Sequence, residues 1–230
     1  PKPQMGMGLQ GVRDWSTQLP FINHFKLARG WIGHDEGADS WGGVSLDQFT
    51  FDENGYPTSL PEVNGETASA GTVLFTDMDS EAVQGGRYVV LYDGEGTIEY
   101  RLSASKIEEE SEPGRHVIDF IPDGSLLDLR ITETDPNNTG NHIRNIRVVR
   151  EDQLPLYQSG EIFNPEWIEK IDQFEVLRFM DWMNTNNSDV SQWTERPQVD
   201  SHTWTNGVPL EIMIELANQT NIDPWFNIPH

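Results

Sequence analysis

The densest run of chemistry-bearing side chains is Arg178-Phe179-Met180-Asp181-Trp182-Met183-Asn184-Thr185-Asn186-Asn187. It sets an arginine inside an apolar stretch, then a carboxylate, an indole and several amides. Farther along, Trp193, Arg196, Trp204, Trp225, Asn227 and His230 are candidates for the same rim. Flat indole faces beside amides and carboxylates suit sugars, whose C–H faces stack on aromatic rings while their hydroxyls need donors and acceptors together. The candidate substrate-binding residues are therefore Arg178, Asp181, Trp182, Asn184, Asn186, Trp193, Trp225, Asn227 and His230, and an oligosaccharide or polysaccharide is the expected partner. Each has a plainer reading. Arg178 pairs equally well with Asp181 or Glu175 as a buried ion pair, the Asn184 to Asn187 amides suit a turn, and the tryptophans suit a core.

Glycoside hydrolysis needs two carboxylates across one bond, and no convincing pair is present. Asp181 is a single acid, while Glu211 and Glu215 stand four apart on an expected helix, a spacing that suits a solvated face. The chain has no cysteine, which removes disulfides, thiol nucleophiles and cysteine-bound zinc together. Histidines 24, 34, 116, 142, 202 and 230 lack the short spacings of a zinc site. Neither a nucleophile elbow nor a phosphate-cradling glycine loop occurs. Asp77, Asp79 and Asp135 lie in oxygen-rich turns, so structural calcium is the only cofactor entertained, although neither turn follows the 12-residue calcium-loop pattern.

The 230 residues hold 15 Lys+Arg against 38 Asp+Glu, a net charge of −23. Such a field repels phosphate backbones and anionic headgroups, so nucleic acid is excluded as a partner. No apolar run approaches the roughly 20 residues that span a bilayer, so membrane insertion is not expected. With 36% hydrophobic and 10% aromatic residues, a sizeable core is affordable. Acidic loops rich in Asn, Thr and Gly lean toward a secreted or cell-surface protein. Pro1 to Gly8 shows no basic segment followed by an apolar one, so a secretion signal is expected to be absent or removed.

Two regions must position these residues. Residues 1–155 read as a jelly-roll-like β-sandwich, because Thr72–Thr76, Arg87–Tyr92, Thr97–Leu102, His116–Ile121, Leu126–Thr132 and Ile143–Arg150 have strand length and strand composition. Asp93-Gly94-Glu95-Gly96 and Pro122-Asp123-Gly124 sit between runs at hairpin distance. Asp14-Trp15-Ser16, Phe21 to Leu27 and Arg29-Gly30-Trp31 read as extended segments pinned onto the sandwich, with Phe21 to Ala28 alternatively a short helix.

Residues 156–230 read as α/β. Asn164, Pro165 and Glu166 open a helix through about Ile171, and Phe174 to Met180 is a strand covered on both faces. Pro209 opens a second helix with an apolar stripe of Leu210, Met213, Ile214 and Ala217, and Trp225 to Pro229 is a second strand. Strand, helix, strand in that order predicts parallel pairing. A closed βα barrel takes eight such units, so this segment reads as the first ones, with a missing C-terminal part of the same protein as its expected partner.

Met7 to Ser16 and Phe174 to His230 resemble the front part of large secreted bacterial proteins in which a β-sandwich leads into a barrel similar to clan A glycoside hydrolases. Leu177-Arg178-Phe179-Met180-Asp181-Trp182, Gly207-Val208-Pro209-Leu210-Glu211 and Asp223-Pro224-Trp225-Phe226-Asn227 carry most of the likeness. The resemblance implies a polysaccharide-handling protein whose catalytic acids lie on later barrel strands, leaving this segment inactive alone. A non-catalytic carbohydrate-binding module and an extracellular structural or assembly protein are the alternatives.

Overall fold

The structure is a computed structural model and describes residues 5–38 and 41–228. In chain order the strands are β1 Gly6–Gly8, β2 Ile32–His34, β3 Gly43–Val44, β4 Thr50–Phe51, β5 Pro57–Ser59, β6 Glu62–Val63, β7 Glu66–Thr67 and β8 Ser69–Leu74. There follow β9 Gly86–Asp93, β10 Gly96–Leu102, β11 Ala104–Lys106, β12 Arg115–Phe120, β13 Leu127–Thr134, β14 Arg144–Arg150, β15 Val176–Arg178 and β16 Asp223–Trp225. The α-helices are α1 Leu154–Gln158, α2 Pro165–Ile171 and α3 Leu210–Thr220. The fold is mainly β.

Two antiparallel sheets share one core. The five-stranded sheet runs β10-β13-β8-β2-β3 and the four-stranded sheet β11-β12-β9-β14. Alternation in β13 sends Leu127, Leu129 and Ile131 into that core and Asp128 and Arg130 to the opposite face. Tyr88, Val90 and Tyr92 of β9 enter it from the other sheet. The glycine turns expected as hairpins are something else: β9 and β10 lie in different sheets, as do β12 and β13, so Gly94 and Gly124 sit in arches between sheets. Gly94 shows why the signal misleads. Its φ is 90° and a Cβ there would meet the His142 carbonyl oxygen at 1.9 Å, a requirement for glycine that an arch and a hairpin share.

A third sheet, β1-β15-β16, is wholly parallel, with Gly8 opposite Arg178 and Arg178 opposite Trp225. The strand expected over Trp225 to Pro229 is instead β16 at Asp223–Trp225, which shares only Trp225 with that span, and the one expected over Phe174 to Met180 is the three-residue β15. The N-terminal segment is the larger correction. β1 joins the parallel sheet instead of lying on the sandwich, because Leu9 and Val12 bury among Leu177, Phe179, Trp167 and Met213. In sequence, the sandwich therefore stands between the first and second parallel strands.

The Phe21 to Ala28 segment is a 3-10 turn at His24–Leu27, and it serves both cores: Phe25 and Ala28 enter the first, Phe21 and Leu27 the second. Asn164 caps α2 by accepting from the Glu166 N–H at 3.1 Å, as its sequence position predicts. In α3 the buried face is Ile212, Met213 and Leu216, while Ile214 is 44% exposed, so the predicted stripe is rotated around the helix. The helices cover only one face of the parallel sheet. Its other face presents Val176, Arg178, Asp223 and Trp225, all half-buried or exposed.

Candidate functional site at the carboxyl ends of the parallel strands

Parallel strands point their carboxyl ends the same way, and in α/β structures ligands bind there. The chain leaves β1 through Gln10, Gly11, Arg13 and Trp15, and leaves β15 through Asp181, Asn184, Thr185 and Asn186. These eight residues line one cleft of about 340 Å³. The register brings them together: the Leu9 N–H donates to the Arg178 carbonyl at 3.0 Å, continuing the β1–β15 pairing toward the cleft.

Each wall is braced from below. Arg13 to Ser16 form a turn closed by the Ser16 N–H to the Arg13 carbonyl at 3.1 Å. Within it Asp14 is buried and accepts from Arg29 Nη2 at 2.7 Å and Thr76 Oγ1 at 2.5 Å, which ties the turn to the sandwich. Trp15 is left at the rim, 50% exposed. The Arg13 guanidinium is held by the carbonyls of Val12, at 2.7 Å, and Thr205. Opposite, Asn184 takes the left-handed conformation at φ 50° and its N–H donates to the Asp181 carbonyl at 3.2 Å. Thr185 Oγ1 donates to the Asn227 carbonyl at 2.7 Å and anchors this turn to the end of β16. Asp181 stays exposed. The cleft thus offers an indole, a carboxylate, amides and a guanidinium over a braced backbone.

The remaining candidates do not converge there. Trp182 is 1% exposed, stacked on Trp167 at 5.8 Å and 18° and flanked by Phe21 and Phe179. It is a core residue, and no ligand reaches it. Trp204 is buried likewise. Arg178 makes no ion pair with Asp181 or Glu175; its guanidinium lies 5.1 Å from the Trp225 ring centre, with Nε 3.4 Å from Asn227 Oδ1. Arg178, Trp225 and Asn227 therefore form a group on the uncovered face of the parallel sheet. Trp193, 66% exposed, carries Arg196 over its ring at 4.1 Å and lines a separate hollow of about 260 Å³ with Met213 and Ile228. His230 lies outside the described residues.

Asp77 and Asp79 are exposed, and Asp79 Oδ1 accepts from the Glu81 N–H at 2.9 Å. Asp135 spends both oxygens on the N–H groups of Thr139 and Gly140, bonds that hold its carboxyl below the usual range. Among the described residues no three acidic or histidine side chains gather as a metal site. A larger hollow of about 530 Å³ separates sandwich and helices. On its wall burial lowers the Lys26 amine to about 8, and the amine donates to the carbonyls of Ser201, at 2.6 Å, and Val199, at 3.2 Å.

Sequence reasoning missed Gln10, Gly11, Arg13 and Trp15 as site residues. The signal was the Gly6-Met7-Gly8-Leu9 run, too short to read as a strand and legible only beside β15. Comparison with family models, curated proteins and solved structures finds no match to this chain.

Proposed function

We propose that this chain handles carbohydrate outside the cell and binds a sugar in the cleft between the ends of β1 and β15. The observation that carries this reading is the cleft's lining, where Trp15 supplies a flat apolar face beside the hydrogen-bonding groups of Arg13, Asp181, Asn184 and Asn186. Sugars require that mixture. On this reading the sandwich is jelly-roll-like, and β1, β15 and β16 are opening strands of a barrel of the clan A glycoside hydrolase kind. The uncovered face around Arg178 and Trp225 supports it, since parallel sheets are normally covered on both faces. Further strands of the same protein would close over that face.

The part described here binds and does not hydrolyse. Asp181 is the only carboxylate lining the cleft among the described residues, and Glu211 on α3 is taken by Arg196 at 2.9 Å. Isothermal titration with a panel of neutral hexasaccharides tests the reading. Saturable binding is expected, lost in Trp15→Ala and weakened in Asp181→Asn. Silence across the panel, or unchanged affinity in Trp15→Ala, refutes it.

A further inference from the structure

We propose a second saccharide site, on the face of the five-stranded sheet turned away from the sandwich core, with Trp41 as its platform. It is built from other strands than the cleft and does not depend on it.

The register assembles the site. Arg101, Asp128 and Val73 stand in one row across β10, β13 and β8; Glu99, Arg130, Gly71 and Ile32 stand in the next; Ser69 and His34 continue the pattern. Because Ile98, Leu129, Ile131 and Ala70 occupy the core face, these side chains share the opposite one. Glu36 is their hub. It accepts from Arg130 Nη1 at 2.8 Å, from Arg101 Nη2 at 3.0 Å and from the Ser69 hydroxyl. Burial opposes its ionisation, but those three hydrogen bonds outweigh burial and bring it down to about 2.

Trp41 stands over this network, 50% exposed. Its ring meets the His34 ring edge-on at 4.8 Å and 84°, and Arg130 Cζ lies 5.3 Å from its centre. Two neighbours therefore fix the indole while half its surface stays open, which is how a platform is preorganised. Beneath it, two polar atoms remain unspent. His34 Nδ1 accepts the Gly42 N–H at 3.0 Å, so its proton sits on Nε2, and Nε2 has no partner among the described residues. Asp128 Oδ2 takes Arg130 Nε at 2.8 Å, leaving Oδ1 without one. Gly71 makes the close packing possible, since a Cβ there would lie 2.5 Å from His34 Nε2. A buried donor and a buried acceptor left open are costly. They mark an incomplete polar network directly under the open face of the indole, closed to solvent as the ring stands.

Charge selects the ligand class. Three carboxylates (Glu36, Glu99 and Asp128) face two guanidiniums that are already paired, so phosphate, nucleotide and uronate groups are repelled. A neutral sugar is not.

The chain has eight tryptophans, each of which should give one indole N–H cross-peak in an NMR spectrum. The ¹⁵N-labelled chain would be titrated to millimolar concentration with cellohexaose, xylohexaose, mannohexaose, maltohexaose and laminarihexaose. The peak missing from Trp41→Phe should move and saturate with at least one of them, and Trp41→Ala should weaken that binding about tenfold or more. Trp41→Phe keeps a ring, and its spectrum reports whether the fold persists. Movement of only the peak missing from Trp15→Phe, or of none, overturns the proposal. Movement of the Trp41 peak alone sustains it and refutes the cleft.

Discussion

At the scale of single residues, identical side chains do opposite jobs because of what surrounds them. Trp15 and Trp182 are both indoles near the ends of parallel strands, yet one is half exposed and the other sits among Phe21, Trp167 and Phe179. Trp182→Ala should therefore cost about 3–5 kcal/mol in urea unfolding. The folded fraction should bind sugar as before; selective loss of sugar affinity at unchanged stability would contradict this placement. Asn164 is a second case. Its Oδ1 accepts from the Glu166 N–H and from Gln153 Nε2, and its Nδ2 donates to the Leu19 carbonyl at 3.2 Å. Asn164→Ala should lower stability by about 2 kcal/mol, the upper end for a cap, because it also strips partners from buried neighbours. Asn164→Asp, which keeps the cap acceptor, should recover part of it.

At the scale of elements, α3 gives the sharpest test. Its buried face is Ile212, Met213 and Leu216, with Ile214 turned outward. Ile214→Lys should change stability by no more than about 0.5 kcal/mol, whereas Met213→Ala should cost about 2–5 kcal/mol. Equal costs would mean the helix is rotated from this orientation. The sequence permits the wrong stripe because Leu210, Ile212, Met213, Ile214, Leu216 and Ala217 are all apolar, so more than one face satisfies a 3.6-residue period. The six long strands of the sandwich were legible to within a few residues from their Val, Ile and Tyr content, whereas β2, β3 and β11, of two or three residues each, were not. Their partners were not, since an arch between sheets and a hairpin call for the same glycine at positive φ. β1 was illegible as a strand at three residues, and with it went half of the cleft. Asp181, Asn184 and Asn186 were legible from the polar run that ends an apolar strand.

At the scale of the whole molecule, acid should weaken the fold. Burial lowers His24, His34, His116 and His202 from 6.5 to about 4. Between those values the unfolded chain binds protons that the folded one does not, so stability is full above pH 6.5 and is lost as pH falls toward 4. Glu36, lowered from 4.5 to about 2, acts in the same direction at lower pH, contributing above 4.5 and fading as pH falls through 2. The ring resonances of those four histidines should show no protonation at pH 5.5, and thermal unfolding should move to lower temperature from pH 6.5 to 4. Protonated rings in the folded state at pH 5.5 would contradict the burial described.

The functional account depends on β1 lying beside β15, because only that pairing puts Trp15 and Arg13 against Asp181. An ideal Cβ at Gly6 lies 3.4 Å from the Val176 Cβ, close to disulfide range, and the native chain has no cysteine to compete. The double variant Gly6→Cys with Val176→Cys should oxidise to one intramolecular crosslink, seen by mass spectrometry as a single peptide joining the two segments. Two persistent free thiols in the folded protein would show that the strands are not neighbours, and the cleft would go with them.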